Sequence, residues 1–305
     1  MRAKIKLIGF DSMGTRGMAT VIDAGTYKIF IDPGVSFAPR RYGLPPHPVE
    51  LERLEKHLAI IRNEIIDSDI IIISHYHRDH YLYRDGEEEF YKRKILYIKH
   101  PEQMINHSQK IRAYVLLKKM GVLDLAKKIV YCDGKTYSLE NGVRLVFSPP
   151  VPHGPDGTRL GWVIMTLVDI DGFRILHASD VQGPISDVPL EWILEKRPDI
   201  LIISGPPTYF EGRKMKKEDV EKGLYNLMRM AGNSNGPKKI IVDHHLLRDL
   251  DYRDRIMDII EVAAIRNAEV LTAAEFMGQP IEQLEARRKE LWRESREADN
   301  SDRAS

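Results

Sequence analysis

The sequence predicts an α/β (α+β) protein, and two features of its pattern indicate this class. Short β-branched apolar runs alternate with helical patterns in the first and last thirds of the 305-residue chain. The middle third contains several strands in succession, and the turn Asp169–Gly172 joins two of them as a hairpin. With 43% hydrophobic residues, a chain of this length can bury a sizeable core.

The predicted elements follow from this pattern in chain order. Apolar runs bounded by polar or turn residues predict strands at Ile5–Phe10, Met18–Ala24, Tyr27–Asp32, Asp69–Ser74, Lys94–Lys99, Ile129–Cys132, Val143–Ser148, Leu160–Asp169, Phe173–Ala178, Asp199–Ser204, Lys239–Asp243 and Glu269–Ala273. Helical spacing predicts helices at Pro48–Asn63, Ser108–Lys128, Pro189–Lys196, Lys217–Met230 and Tyr252–Asn267. We expect a single domain over residues 1–280. Residues 281–305 are expected to form a charged helix, Ile281–Ala298, and a frayed tail, Asp299–Ser305.

Composition narrows the classes of partner and compartment. Lys and Arg total 46 against 45 for Asp and Glu, so the net charge of +1 gives no electrostatic case for nucleic acid as the main partner. Cys132 is the single cysteine, which excludes an intrachain disulfide and favours a reducing cytoplasm. The sequence contains no apolar window long enough to predict a membrane span, so we expect a cytoplasmic protein without a membrane partner.

The segment His75-Tyr76-His77-Arg78-Asp79-His80 carries the strongest chemical signal. It places three imidazoles and a carboxylate directly after a buried isoleucine strand. These groups are the ligands that Zn²⁺, Mn²⁺ and Fe²⁺ prefer, and four of them in six residues suggest two neighbouring metals. The simpler alternative is a polar loop whose histidines form only local hydrogen bonds.

Other predicted strands also end in ligand-type residues. Asp32, His153 and Asp180 each follow an apolar run, and Asp243-His244-His245 follows the run Ile240–Val242. A polar residue at one strand end usually just begins a loop. Because several such ends can meet at one edge of a sheet, we expect these side chains to form a site together.

The order of these residues resembles the five motifs of the metallo-β-lactamase fold superfamily. The strings Gly9–Gly14, Arg40–Pro48 and Pro149–Gly154 further resemble an uncharacterised, largely archaeal branch of that superfamily. The resemblance covers roughly residues 4–275 and implies a four-layer αββα sandwich, in which two mixed β-sheets are flanked by helices and the metals lie at one edge.

The resemblance also implies a ligand set for two metals. His75, His77 and His153 would hold the first metal; Asp79, His80 and His244 would hold the second; Asp180 would bridge them. Asp32 would support a ligand or fix a loop, and Asp243 would orient the last histidine. The choice between His244 and His245 stays open, although the position directly after the strand favours His244.

Such a centre implies hydrolysis. Two divalent ions, most readily Zn²⁺ with Mn²⁺ or Fe²⁺ as alternatives, lower the pKa of a shared water, and the resulting hydroxide attacks an ester, lactone or phosphoester. Asp180 or Asp79 would take the proton of this water as the catalytic carboxylate.

Substrate contacts are predicted less directly. Arg40 and Arg41 lie in a loop that resembles the superfamily's active-site flap, where two guanidinium groups suit a phosphate or carboxylate. The alternative is that they pair with surface acids such as Glu50 or Glu52. Tyr209 follows another strand end and either donates a hydrogen bond into the cleft or packs.

The competing functions differ in what they require of the chain. A hydrolase acting on a small molecule suits a compact chain. A nuclease acting on RNA or DNA is the alternative, but the 64 positions from Asp180 to His244 leave no room for the inserted domain that such nucleases carry. A di-iron redox enzyme would resemble HxExD instead. A non-catalytic scaffold would leave buried ligand groups without partners. A homo-oligomer stays open, because the C-terminal helix either docks on the domain or pairs with a second copy.

Overall fold

The computed structural model describes residues 3–304, and the side chains of residues 299–304 are left out of the description. The strands are β1 (Lys4–Ile8), β2 (Arg16–Gly17), β3 (Ala19–Asp23), β4 (Lys28–Ile31), β5 (Val35–Ser36), β6 (Ile70–Ile73), β7 (Ile95–Ile98), β8 (Lys128–Tyr131), β9 (Thr136–Ser138), β10 (Val143–Phe147), β11 (Val151–Pro152), β12 (Trp162–Val163), β13 (Thr166–Ile170), β14 (Phe173–His177), β15 (Ile200–Ser204), β16 (Lys239–Asp243) and β17 (Glu269–Leu271). The helices are α1 (Pro48–Ile66), α2 (His107–Tyr114), α3 (Val122–Leu125), α4 (Asp187–Lys196), α5 (Lys217–Gly232), α6 (Tyr252–Arg255), α7 (Met257–Ile265), α8 (Ala273–Phe276) and α9 (Arg288–Ala304).

Most of the strands form two mixed sheets of similar design. The first sheet has the order β1-β3-β4-β6-β7-β8, and the second has the order β17-β16-β15-β14-β13-β10-β9. Each sheet has an antiparallel part, β1-β3-β4 or β9-β10-β13-β14, and a parallel part, β4-β6-β7-β8 or β14-β15-β16-β17. The parallel strands are the β-branched runs, because a strand covered on both faces has no polar side to alternate with.

The two sheets pack face to face with helices outside. In β6, Ile70 and Ile72 belong to the core between the sheets, whereas Ile71 and Ile73 face outward into the layer that contains α1. In β15, Ile202 points into the same central core and Leu201 into the layer beneath α5 and α7. The alternation follows from the two-residue period of a strand. The predicted four-layer αββα sandwich is therefore confirmed.

Helix α1 shows how local sequence signals position the outer layer. The helix begins after His47, whose imidazole accepts the Val49 amide, while the Glu50 carboxylate accepts the His47 amide and completes a capping box. Leu54, Leu58, Ile61 and Ile65 recur at helical spacing and are buried against the first sheet.

Three predicted elements are interrupted in the structure. In place of the predicted helix Ser108–Lys128, α2 continues directly into a π-helical turn at Val115–Lys119. Gly121, in a left-handed conformation with φ of 75°, then separates this turn from α3. The predicted strand Leu160–Asp169 is divided into β12, which pairs with β11, and β13, which pairs with β10 and β14. The predicted helix Tyr252–Asn267 is divided at Ile256.

The C-terminal segment packs against the rest of the chain. The Arg288 guanidinium is fully buried and forms two hydrogen bonds with Glu50, of 2.7 and 2.6 Å. The Trp292 indole donates to the Pro45 carbonyl at 3.0 Å. The C-terminal helix begins at Arg288, not at the predicted Ile281, and its backbone stays helical to Ala304, through most of the segment for which we expect a frayed tail. Ser305 and the side chains from 299 onward lie outside the described residues. Among residues 3–304, no helix is both long and apolar enough to cross a bilayer.

We predict that Arg288→Ala lowers the free energy of unfolding by about 3–5 kcal/mol, because it leaves the Glu50 carboxylate buried without its partner. Urea unfolding followed by circular dichroism measures this change. Arg293→Ala is the matched control: its side chain is 68% exposed and its contact with Glu297 is 3.9 Å long, so we expect a change below about 0.5 kcal/mol. Equal effects of the two substitutions would contradict the anchoring role of Arg288.

Candidate metal centre

The polar side chains at the strand ends converge at one edge of the sandwich. Asp32 follows β4 and His75 follows β6, which are parallel neighbours in the first sheet. Asp180 follows β14 and His244 follows β16, which lie in the parallel part of the second sheet. Because carboxyl ends of parallel strands share an edge, two sheets that pack face to face bring these residues together.

The first cluster contains His75, His77, His153 and Asp180. His75 Nε2 and His153 Nε2 each lie 3.1 Å from His77 Nδ1, and His153 Nε2 lies 3.0 Å from Asp180 Oδ2. Burial of His75 and His77, together with their imidazole neighbours, lowers the pKa of both rings well below the ordinary value. The rings are therefore neutral at pH 7, and their lone pairs point at a common centre, as in a site for a cation.

The second cluster contains Asp79, His80 and His244 and adjoins the first through Asp180. His244 Nε2 lies 3.6 Å from Asp79 Oδ2 and 3.6 Å from Asp180 Oδ2. His80 Nε2 is buried and has no hydrogen-bond partner among the described residues. A buried ring nitrogen without a partner costs free energy, so the donor set fits a second divalent cation at this position.

The carboxylates of the site stay ionised despite their burial. Burial raises the pKa of Asp79 and Asp180, but the surrounding imidazoles lower it more, so both pKa values lie below the ordinary range. Burial lowers the pKa of His80 and His244, but the neighbouring carboxylates raise it more, to about 9 for His244. These two rings would lose a proton on binding a cation, whereas His75 and His77 are already neutral.

Asp32 holds one of the candidate ligands in place. One carboxylate oxygen accepts the Ser74 amide at 2.8 Å, and the other accepts the Ser74 hydroxyl at 2.6 Å and lies 2.8 Å from His80 Nδ1. This contact leaves His80 Nε2 directed into the cluster. The geometry agrees with the supporting position that the resemblance implies for Asp32.

Asp11 is a site residue that is missing from the predicted set. Its carboxylate lies 2.6 Å from His244 Nδ1 and accepts a 2.8 Å hydrogen bond from Arg248 Nε. A carboxylate on the outer nitrogen of a ligand imidazole fixes its tautomer and raises its basicity. The signal in the sequence is the same as for Asp32: an acid shortly after a strand, here β1.

Asp243 occupies a different position from the one expected. Its two oxygens accept the backbone amides of Ser12 and Ala273, at 3.0 and 2.9 Å, and the described contacts do not join it to the His244 ring. Burial, together with the Asp11 charge, raises the pKa of Asp243 to about 6. Asp243 thus ties β16 to the loop after β1 and to α8, and Asp11 takes the orienting position.

His244 and His245, the two candidates for the last metal ligand, point in different directions. His244 is fully buried and presents Nε2 to Asp79 and Asp180. His245 has a positive φ of 47°, lies 3.0 Å from Asp180 through Nε2, and contacts Arg248 Nη1 through Nδ1 at 2.9 Å. His244 Nε2 lies near both Asp79 of the second cluster and Asp180 of the first, whereas the described contacts join His245 to Asp180 but not to Asp79. The geometry therefore favours His244 as the last ligand.

The predicted substrate residues do not form the expected pair. Arg40 is exposed, while the Arg41 guanidinium donates to the Arg248 carbonyl at 2.9 Å and lies 4.4 Å from the centre of the Tyr209 ring. Neither arginine pairs with Glu50 or Glu52 among the described contacts; Arg41 lies 4.0 Å from Glu285 instead. Tyr209 borders a cavity of about 520 Å³ that shares His245 with the site.

A second cavity of about 450 Å³ opens directly onto the clusters. Its walls include His77, Asp79, His153, Asp180 and His245, together with several arginines. This volume lies in the range of small-molecule sites. The loops at the carboxyl ends of the strands contribute to its walls, and the same loops carry the candidate ligands.

The αββα sandwich with the HxHxDH segment at its edge is the architecture that the resemblance to the metallo-β-lactamase fold superfamily predicts. The chain belongs to the UPF0282 family. It is 44% identical over 293 residues to the UPF0282 protein of Aeropyrum pernix, covering 95% of this chain and 98% of that protein. It is 42% identical over 294 residues to the one from Methanopyrus kandleri, with coverages of 93% and 97%. The predicted archaeal branch is thereby confirmed. No family model matches the chain.

Two solved structures share the fold. Isothiocyanate hydrolase from Delia radicum gut bacteria aligns with a TM-score of 0.52 at 16% identity, covering 88% of this chain and 95% of that one. Unliganded yeast PDE1 aligns with a TM-score of 0.51 at 12% identity, with coverages of 88% and 97%. At these identities the likeness concerns the fold alone.

We predict that His244→Ala removes one of two bound metal equivalents, whereas His245→Ala retains both, because His244 Nε2 faces both Asp79 and Asp180. Elemental analysis after loading with zinc and gel filtration measures the ratio. The reverse result would assign the last ligand to His245.

We predict that Asp11→Asn weakens the second metal site by about 10–100-fold, because the amide no longer fixes the His244 tautomer. Titration of zinc against a chromophoric chelator measures the affinity. Asp23→Asn serves as the control, since its carboxylate only accepts the exposed Gly25 amide. An unchanged second affinity in Asp11→Asn would rule out this role.

Proposed function

We propose that the protein is a dinuclear metal-dependent hydrolase that cleaves an ester, lactone or phosphoester of a small molecule. The observation that carries the proposal is the convergence of two ligand clusters, with ligand atoms within 4.8 Å of one another in each, and the position of Asp180 of the first cluster 3.6 Å from His244 of the second. Isothiocyanate hydrolase provides one example of a hydrolase with this fold.

His75, His77 and His153 would hold one ion, and Asp79, His80 and His244 would hold the other, with Asp180 between them. The two ions, when bound, lower the pKa of a shared water and polarise the oxygen that gains charge. Zn²⁺ suits this imidazole and carboxylate set, and Mn²⁺ and Fe²⁺ are its alternatives.

A carboxylate of the chain would accept the proton that the attacking water loses. Asp79 is ionised, borders the cavity and is 17% exposed, so its oxygens can accept a proton from the attacking water. Asp180 is only 3% exposed and is surrounded by imidazoles, which suits a bridging ligand better than a proton acceptor. The cavity walls would hold the substrate over this edge.

Two other functions are less well supported. A nuclease of this fold would need an additional domain to hold a polymer. The segment between Asp180 and His244 instead forms α4, β15, α5 and β16 of the sandwich. A binding scaffold would retain the unpaired His80 nitrogen and the packed imidazoles without the cation that offsets their cost.

We predict close to two metal ions per chain in the wild type, and a loss of both metal and hydrolysis in His77→Ala and Asp180→Ala. Elemental analysis is paired with p-nitrophenyl acetate, a lactone, bis(p-nitrophenyl) phosphate and a single-stranded oligonucleotide as substrates. His107→Ala, an exposed histidine of α2 outside the clusters, is the control and should behave like the wild type. If the wild type binds no zinc, manganese or iron, the hydrolase proposal fails; cleavage of the oligonucleotide alone would favour the nuclease.

A further inference from the structure

Five arginines line the cavity over the candidate metal centre: Arg16, Arg78, Arg84, Arg112 and Arg248. Two of them are neutralised by buried acids. Arg16 forms a two-pronged ion pair with Glu285, of 2.5 and 2.6 Å, and the Arg248 guanidinium donates to Asp11 at 2.8 Å. These two therefore add little net charge to the cavity.

The other three, here called the arginine wall (Arg78, Arg84 and Arg112), are not neutralised in this way. Among the described residues, no carboxylate lies within ion-pair distance of Arg78 or Arg112. Arg84 lies 3.6 Å from Glu87, but that carboxylate also binds Arg62 at 2.6 Å. The wall thus presents more positive charge than its surroundings offset.

Contacts with an aromatic ring and with a backbone carbonyl hold the three arginines of the wall beside the candidate metal ligands. The Arg78 and Arg84 guanidinium carbons lie 5.0 and 5.7 Å from the centre of the same Tyr83 ring. Arg112 Nη1 donates to the Tyr76 carbonyl at 3.4 Å, within the ligand segment itself. Cation–π contacts orient a guanidinium and leave its N–H groups free to bind an anion.

The remaining acids of the cavity do not cancel this charge. Asp79 and Asp180 are the carboxylates among its lining residues, and both belong to the candidate ligand clusters. Both face imidazoles of these clusters: Asp180 lies 3.0 Å from His153 and from His245, and Asp79 lies 3.6 Å from His244. A substrate in this cavity consequently meets a wall that favours an anion.

We propose that the arginine wall binds a phosphate group, so that the substrate of the proposed hydrolase is a small phosphorylated molecule. Hydrolysis of the bound molecule rests on the proposed function, whereas phosphate binding by the arginine wall does not. A phosphate monoester carries close to two negative charges and three acceptor oxygens, which match three guanidinium groups better than a single carboxylate does. The cavity volume of about 450 Å³ suits a small molecule rather than a polymer.

Calorimetric titration with phenylphosphonate, which contains no ester bond to hydrolyse, tests the binding on zinc-loaded and metal-free protein. We expect about tenfold weaker binding in Arg78→Gln and in Arg112→Gln, since each loses a charge-assisted hydrogen bond. Arg78→Lys should fall between them and the wild type. Arg293→Gln, the exposed control on α9, should bind like the wild type.

Benzoate distinguishes a phosphate from a carboxylate site, and it should bind more weakly and lose less in the two glutamine variants. Equal phenylphosphonate affinity in wild type, Arg78→Gln and Arg112→Gln would overturn the inference, as would tighter binding of benzoate or of a single-stranded oligonucleotide. Metal content and hydrolysis of neutral p-nitrophenyl acetate, measured on the same samples, report separately on the proposed function. Two metals without phosphonate binding would refute the arginine wall alone, whereas arginine-dependent binding without metal would refute only the hydrolase.

Discussion

The geometry of the candidate metal centre depends on the hydrogen bonds of one buried carboxylate, that of Asp32. It accepts both the amide and the hydroxyl of Ser74 and holds His80 Nδ1. The Ser74 hydroxyl in turn lies 2.7 Å from the hydroxyl of Ser179, which follows β14 of the second sheet. One acid therefore joins two strand ends of the first sheet, orients a candidate ligand and, through Ser74, links the two sheets at the edge where the clusters form. All of these groups are fully buried, so an unmade bond would be costly.

A similar arrangement supports the opposite side of the site. Asp11 holds His244 and Arg248, and Asp243 fixes the loop that carries Asp11 by accepting the Ser12 amide. The segment before α9 extends this network, because Glu285 binds Arg16 at the cavity wall. The C-terminal segment thus contributes to the shape of the cavity, although it lies outside the region that resembles the superfamily.

The electrostatics of the edge divide into two regions. The strand ends bring together imidazoles and ionised carboxylates, a donor set that suits divalent cations. The Tyr83 side of the cavity instead carries guanidinium groups that acids do not neutralise. The first region suits divalent cations, and the second suits a substrate that carries negative charge.

The sequence by itself determined the fold class, the HxHxDH segment and the acids and histidines at later strand ends, because strand periodicity and ligand spacing are local properties. Breaks such as the one at Gly121 lay beyond it, since helical spacing does not reveal where a backbone turns left-handed. Only the tertiary structure decided that Asp11 rather than Asp243 contacts His244, and that Arg78, Arg84 and Arg112 rather than Arg40 face the site. The Asp11–His244 contact joins segments 233 residues apart and depends on how the sheets pack, a relation that no local pattern encodes. Arg78 lies within the HxHxDH segment itself, but the side chains that surround its guanidinium group are known only from the folded chain.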